Sequence, residues 1–339
     1  MIIELRPGTS APEIQAVTSR LAAHDDVTAW PVRLADRVFV AVSGDEDLVP
    51  EIGSAAVLAR HSTRETGCWL VAGANDVAPS QVSIGDSVVG GGSLWCAAGP
   101  CALEDTTDAM DTALLARDQG VAAIRMGLFK PRSSPYHFLG QGRRGLAGLA
   151  EIKAATGLPV VTEVLDPRDV EHVAKVADCL QVDTRNMTNR ALLAELGGAG
   201  RPVLLMRGLR STVAEWLRAA EFVLANGNSD VVLCARGIVS FDNSLAFQPD
   251  FGAIAEVRRH TALPIIFDPS HSTGRVAAVA PAALSAVAFG ADGLLLETHV
   301  RPERMYRPGD ANQMYPVSGI SRLLAACAEI KALMPALTP

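Results

Sequence analysis

Eight short apolar segments, each followed by an amphipathic stretch, govern what this chain can fold into. From Ser93 onward they are S-L-W-C-A-A-G, V-A-A-I-R-M-G, P-V-V-T-E-V, C-L-Q-V-D-T-R, P-V-L-L-M-R-G, D-V-V-L-C-A-R-G, P-I-I-F-D-P-S and G-L-L-L-E-T-H. Near-continuous apolar strands separated by helices imply a parallel sheet covered on its outer face. Eight such repeats close as a (β/α)8 TIM barrel. The alternative, a doubly wound open sheet, would more often carry a Gly-rich phosphate loop after its first strand, and this chain has none.

The residues before Ser93 follow another rhythm. I-I-E-L, an amphipathic run over 12–24, V-T-A-W-P-V, R-V-F-V-A-V, a second helical run over 46–55 and V-L-A-R read as strand, helix, strand, strand, helix, strand. That order is the ferredoxin-like split βαβ, the ACT-like arrangement. A polar connection near 71–80 follows, then a hairpin, V-S-I-G-D-S-V-V-G-G-G, placed to close one end of the barrel. The expected division is a ferredoxin-like domain over 1–75 and a barrel over 76–339.

With 49% hydrophobic and 20% charged residues among 339, the chain has ample material for a core and none of the bias of disorder. Its apolar runs are short, and its start lacks a basic segment followed by an apolar one, so neither membrane spanning nor export is expected. Six cysteines without paired spacing fit a reducing cytoplasm. The formal charge is −7, yet Arg125, Lys130, Arg132, Arg143 and Arg144 crowd one segment. Concentrated basic charge on an acidic chain suits a small anion, whereas nucleic acid would want a broad positive face.

Most of the apolar segments end in an ionisable group: Cys101 just after the first, then Arg125, Glu163, Arg185, Arg207, Arg236, Asp268 with His271, and Glu297 with His299. In a barrel those ends form one rim, where active sites are built. Cys101, His271, Glu297 and Asp310 offer a thiolate, an imidazole and two carboxylates, a set suited to manganese, iron, cobalt or zinc rather than calcium. Taken singly, each is as well explained by packing or an ordinary hydrogen bond. Arg125, Lys130, Arg132, Arg185, Arg207 and Arg236, with Ser133 and Ser134 beside them, form a cationic set whose planar forks match phosphate and carboxylate. Pairing of each with a nearby Asp or Glu is the alternative. The connection K-P-R-S-S-P-Y-H-F-L-G-Q-G is long, and it is stiffened by Pro131 and Pro135, as a binding loop on this rim would be.

A-G-P-C-A-L-E, R-M-G-L-F-K-P-R-S-S-P-Y-H-F-L-G-Q-G, V-V-T-E-V-L-D-P-R, R-N-M-T-N, R-G-L-R-S-T, L-C-A-R-G, D-P-S-H-S-T-G-R and E-T-H resemble, in order, the motifs of the type I-beta 3-deoxy-D-arabino-heptulosonate 7-phosphate (DAHP) synthases. The resemblance runs from about Ser93 to Asp310, and the first 63 residues look like that family's regulatory domain. The related 3-deoxy-octulosonate 8-phosphate synthases share the barrel but differ at K-P-R-S.

The resemblance implies condensation of phosphoenolpyruvate with erythrose 4-phosphate, the entry to aromatic biosynthesis. Cys101, His271, Glu297 and Asp310 would ligate a divalent metal, manganese first. Arg125, Lys130, Arg185, Arg207 and Arg236 would line the substrate site, with Arg132 and Ser133 on the aldehyde's phosphate. Lys130, Asp268 and His271 would be catalytic. An aromatic amino acid effector and a homotetramer or homodimer are implied by the same likeness. Departures cluster at the donor: Met206 stands where the family has lysine, Asp183 and Thr184 where it has glycine and alanine, Ala235 where it has glutamate, and Met126 where it has glycine. They leave open a divergent enzyme of secondary metabolism with an altered donor or acceptor, or a non-catalytic regulatory binder.

Overall fold

The computed structural model describes residues 1–73, 76–131, 134–306 and 311–337. At the N-terminus β1 (Ile2–Leu5), α1 (Ala11–Ala22), β2 (Thr28–Leu34), β3 (Arg37–Ser43) and β4 (Val57–His61) build an antiparallel sheet of order β2-β3-β1-β4. This is the expected split βαβ order. Helix α1 opens on a capping box, in which Glu13 Oε2 accepts from the Ser10 N–H at 2.9 Å.

Alternation along the strands sorts the sheet's two faces. Ile3, Leu5, Val40 and Val42 pack with Ile14, Val17 and Leu21 of α1. Ile2, Phe39 and Ala41 face the other way and share a core with the barrel's helices. The second helix expected over 46–55 is instead a single 3-10 turn, Glu46–Leu48. Pro50 brings no N–H and disfavours helical backbone at the residue before it, and Val49 is extended (φ −72°, ψ 114°).

The barrel consists of β7 (Trp95–Gly99), β8 (Ala123–Arg125), β9 (Val160–Glu163), β10 (Cys179–Val182), β11 (Val203–Met206), β12 (Val231–Ala235), β13 (Ile265–Phe267) and β14 (Gly293–Glu297). All neighbours pair in parallel, and β14 returns to β7 with Glu297 opposite Gly99, closing the ring. The hairpin of β5 (Gln81–Ile84) and β6 (Ser87–Gly90) plugs the N-terminal end. Its Val82, Ile84 and Val89 pack on the interior residues Trp95, Val161, Cys179 and Leu204. Gly85 makes its turn at φ 56°, and a Cβ there would lie 2.7 Å from Pro159.

Helix α2 (Arg190–Gly197) and helix α3 (Val213–Ala225) lie on the flank that receives the N-terminal sheet. The Trp30 indole N–H donates to Ala225 O at 2.9 Å. Glu221 on α3, buried, accepts the backbone N–H groups of Trp69, Leu70 and Val71 at 2.9, 3.0 and 2.9 Å, which anchors the connecting segment. No helix among the described residues is long and apolar enough to cross a membrane.

Glu221→Ala strands three N–H donors at once. We expect it to cost about 2–4 kcal/mol, read as a lower urea midpoint. An unchanged midpoint would show that those donors find water instead.

Candidate active site

The interior register of each strand, continued past the apolar core, supplies the side chains of the rim. Trp95 and Ala97 lead by alternate residues to Cys101, Ala123 to Arg125, and Val161 to Glu163. Cys179 leads to Gln181 and Asp183, Leu204 to Met206, Val232 and Cys234 to Arg236, Ile266 to Asp268, and Leu295 to Glu297. The inward ring is apolar below and ionisable above.

On one side of the mouth three donors converge. Cys101 Sγ lies 3.8 Å from His271 Nε2, and His271 Nε2 lies 3.0 Å from Glu297 Oε1. All three donor atoms fall within 4.8 Å of one another. His271 belongs to α4 (Pro269–Thr273), whose N-cap is Asp268. That carboxylate accepts the His271 backbone N–H at 2.9 Å and holds Nδ1 at 2.6 Å, which turns Nε2 toward Cys101 and Glu297. Glu297 is held in turn by Arg125 Nη1 at 2.8 Å and by the Gln313 side-chain amide.

Burial works against an imidazolium here, but the carboxylates of Asp268 and Glu297 outweigh it and push His271 well above its ordinary value. Nε2 of that ring faces one carboxylate, Glu297, and the Cys101 sulfur, while the second carboxylate, Asp268, stays on Nδ1. A divalent transition metal suits that position, because thiolate, imidazole and carboxylate together are the ligand chemistry of such ions. Cys101, His271 and Glu297 can thus hold one. Asp310, the fourth expected ligand, lies outside the described residues.

Beside this set is a cavity of about 190 Å³, lined among others by Arg125, Lys130, Glu163, Gln181, Asp183, Arg185, Met206, Arg236 and His271. That is the liquid volume of roughly six waters, room for a small acid. Lys130 Nζ lies 3.4 Å from Glu163 Oε2. Burial opposes its charge, yet Cys101 and Glu163 hold its pKa above the usual lysine value. Glu163 itself is pushed up by burial, which Lys130 only partly offsets. Arg125 Nε, Glu163 Oε1 and Arg236 Nε are buried without a hydrogen-bond partner, as groups that await a ligand are.

The structure separates the expected cations. Arg125, Lys130, Arg185 and Arg236 line the cavity. Arg207 does not. It follows the inward Met206, so its side chain leaves the interior, and it binds Asp250 at 2.6 Å and Ser211 O at 2.9 Å. Arg132 and Ser133 lie outside the described residues. Gln181, Phe247 and Gln313 are additions. Gln181 could have been found by counting two residues on from Cys179, whereas Gln313 comes from a segment with no periodic signal.

Fold and rim together define the class: a (β/α)8 enzyme with a donor set that could hold a metal beside a cation-lined cavity. The model of the DAHP synthetase I family matches residues 75–331. A phospho-2-dehydro-3-deoxyheptonate aldolase of Thermotoga maritima is 34% identical over 311 residues, covering 91% of this chain and 92% of its own. The crystal structure of the Thermotoga maritima DAHP synthase superposes with a TM-score of 0.74 at 32% identity, over 99% of this chain and 97% of that one. A 2-dehydro-3-deoxyphosphooctonate aldolase of Nitratidesulfovibrio vulgaris is 34% identical over 256 residues, 70% of this chain and 90% of its own. The chain belongs to the DAHP synthetase I family, whose members are metal-dependent.

Cys101→Ala should lose most bound metal in elemental analysis after dialysis. Asp268→Asn, which keeps all three donors, should weaken metal binding by about 10- to 100-fold. Equal metal content in Cys101→Ala and the parent would remove the sulfur from the set.

Proposed function

We propose that this chain is a 3-deoxy-7-phosphoheptulonate synthase, condensing phosphoenolpyruvate with erythrose 4-phosphate and releasing phosphate. The observation that carries the reading is the junction of the Cys101, His271, Glu297 donor set with the cationic cavity on one rim. The family match supports it.

In this reading Arg125, Lys130, Arg185 and Arg236 hold the acidic groups of phosphoenolpyruvate, and Arg132 with Ser133 takes the phosphate of the aldehyde. Cys101, His271, Glu297 and Asp310 would hold a divalent metal, manganese before iron, cobalt or zinc, which would supply a Lewis acid for the aldehyde oxygen. The residues bring C3 of the enolpyruvate to the aldehyde carbon, and that new bond leaves an alkoxide that takes a proton. Lys130, held charged, keeps a proton in reach of the reacting atoms. Water then adds at C2, and loss of inorganic phosphate leaves the 2-keto acid. Asp268 fixes the ring of His271 throughout.

Metal-loaded protein given both substrates should release phosphate and yield a product with the mass of the seven-carbon keto acid phosphate. No release with any of the four metals would overturn the reading.

The sheet of residues 1–75 is read as a regulatory domain that takes an aromatic amino acid, in a homotetramer or homodimer of a cytoplasmic enzyme. Its split βαβ strand order supports the regulatory-domain reading. Tyrosine or phenylalanine should inhibit the full chain, and removal of residues 1–75 should abolish that inhibition while turnover persists. Inhibition that survives the truncation would place the effector on the barrel.

A further inference from the structure

Of the four cations that line the cavity beside the donor set, three face a carboxylate, while Arg185 donates to Pro131 O. Arg125 faces Glu297 at 2.8 Å, Lys130 faces Glu163 at 3.4 Å, and Arg236 faces Asp183, with Nη1 3.9 Å from Oδ1. The third pair differs from the others. At 3.9 Å it is at the outer limit of an ion pair, and Arg236 does not determine where Asp183 sits.

The turn after β10 does. Asp183 Oδ2 accepts the backbone N–H of Arg185 at 3.1 Å and the Thr184 hydroxyl at 3.3 Å, and Asp183 O accepts the Asn186 N–H at 2.8 Å. The carboxylate is therefore fixed in the cavity wall whatever else enters. Arg236 is fixed too, with its guanidinium 4.9 Å over the Phe247 ring, and its buried Nε has no partner. Gln181, beside Asp183 and Glu163 in that wall, is neutral: its amide donates to the Met206 thioether at 3.3 Å. An acidic group that reaches Arg236 must share it with a carboxylate that cannot retreat.

We infer that Asp183 is a charge-selectivity residue. It penalises a fully ionised phosphate at the Arg236 end of the cavity and favours an acid whose group there carries a single charge. The inference rests on the condensation reading for which substrate enters, but its physics needs only that an acid binds at Arg236. Two charges on one phosphate meet the fixed carboxylate with about twice the repulsion that one carboxylate meets.

The test is calorimetric titration of the full-length, metal-loaded protein with phosphoenolpyruvate alone, and separately with fumarate, whose two groups carry one charge each. Asp183→Asn, which keeps an oxygen for the Arg185 N–H, should tighten phosphoenolpyruvate by about tenfold and fumarate by no more than about threefold. Asp183→Glu, which keeps the charge, should stay with the parent. Where turnover is measured, the gain in Asp183→Asn should fall on KM more than on kcat. Equal gains for both acids would reduce Asp183 to a general field. No gain, or a loss, for phosphoenolpyruvate would make it a positioning group for Arg236, and either result overturns the inference. Tighter binding without any turnover would retire the condensation reading and leave the selectivity standing, whereas turnover with unchanged binding would do the reverse.

Discussion

A chain of buried charges crosses the mouth of the barrel, and the rest of the site is arranged around it. Asp268 holds His271, His271 meets Glu297, and Glu297 meets Arg125. Asp268 and Glu297 are almost wholly buried, as is Arg125. Ions taken out of water are tolerable only as partners, and removing one member of such a pair commonly costs about 3–5 kcal/mol because the other is stranded. The apolar ring beneath makes this demand sharper: Cys234, Ile266 and Leu295 keep water from reaching the chain of charges from below. The same low-dielectric floor that makes the charges costly strengthens every interaction they offer to a ligand above.

The small sheet at the N-terminus is bound by a related logic. A sheet with one apolar face can stop at α1, but β1 and β3 are apolar on both faces, so the second face has to be covered. The barrel's flank covers it, and Glu221 meets the backbone donors of the connecting turn at 69–71 that would otherwise be buried without acceptors. This is why the two parts share a hydrophobic cluster rather than being linked by a free tether.

How much of this was legible in the sequence differs from residue to residue. The eight strands were, because a parallel strand buried on both sides reads as an apolar run whatever its neighbours are. The convergence of Cys101, His271 and Glu297 on one rim was, because a strand's end fixes height along the barrel axis. Height is not direction, and Arg207 shows the difference: it stands at the right level but one residue out of the inward register, so Asp250 takes it. Extending the period of two from the core would have separated Arg207 from Arg236 without coordinates. The helix expected over 46–55 failed at Pro50, where a backbone constraint overrode a favourable composition. Gln313 carried no signal at all, since its role depends on a non-periodic segment returning to Glu297.

Closure of the ring gives the donor set its existence. Cys101 follows the first barrel strand and Glu297 ends the last, so in an open sheet of the same eight strands they would lie on opposite edges, far apart. Pairing of β14 with β7, Gly293 opposite Trp95 through Glu297 opposite Gly99, makes them neighbours. Gly293 permits the fit, because a Cβ there would fall 2.3 Å from Trp95 O. With β13 bringing Asp268 and His271 alongside, the sulfur, imidazole and carboxylate come from three adjacent strands, and the strands on either side of them, β8 and β12, bring Arg125 and Arg236. The grouping of the sulfur, imidazole and carboxylate on one arc of the rim, with a cation on either side, is thus a consequence of strand order, and a fold that did not close could not have assembled it from these residues.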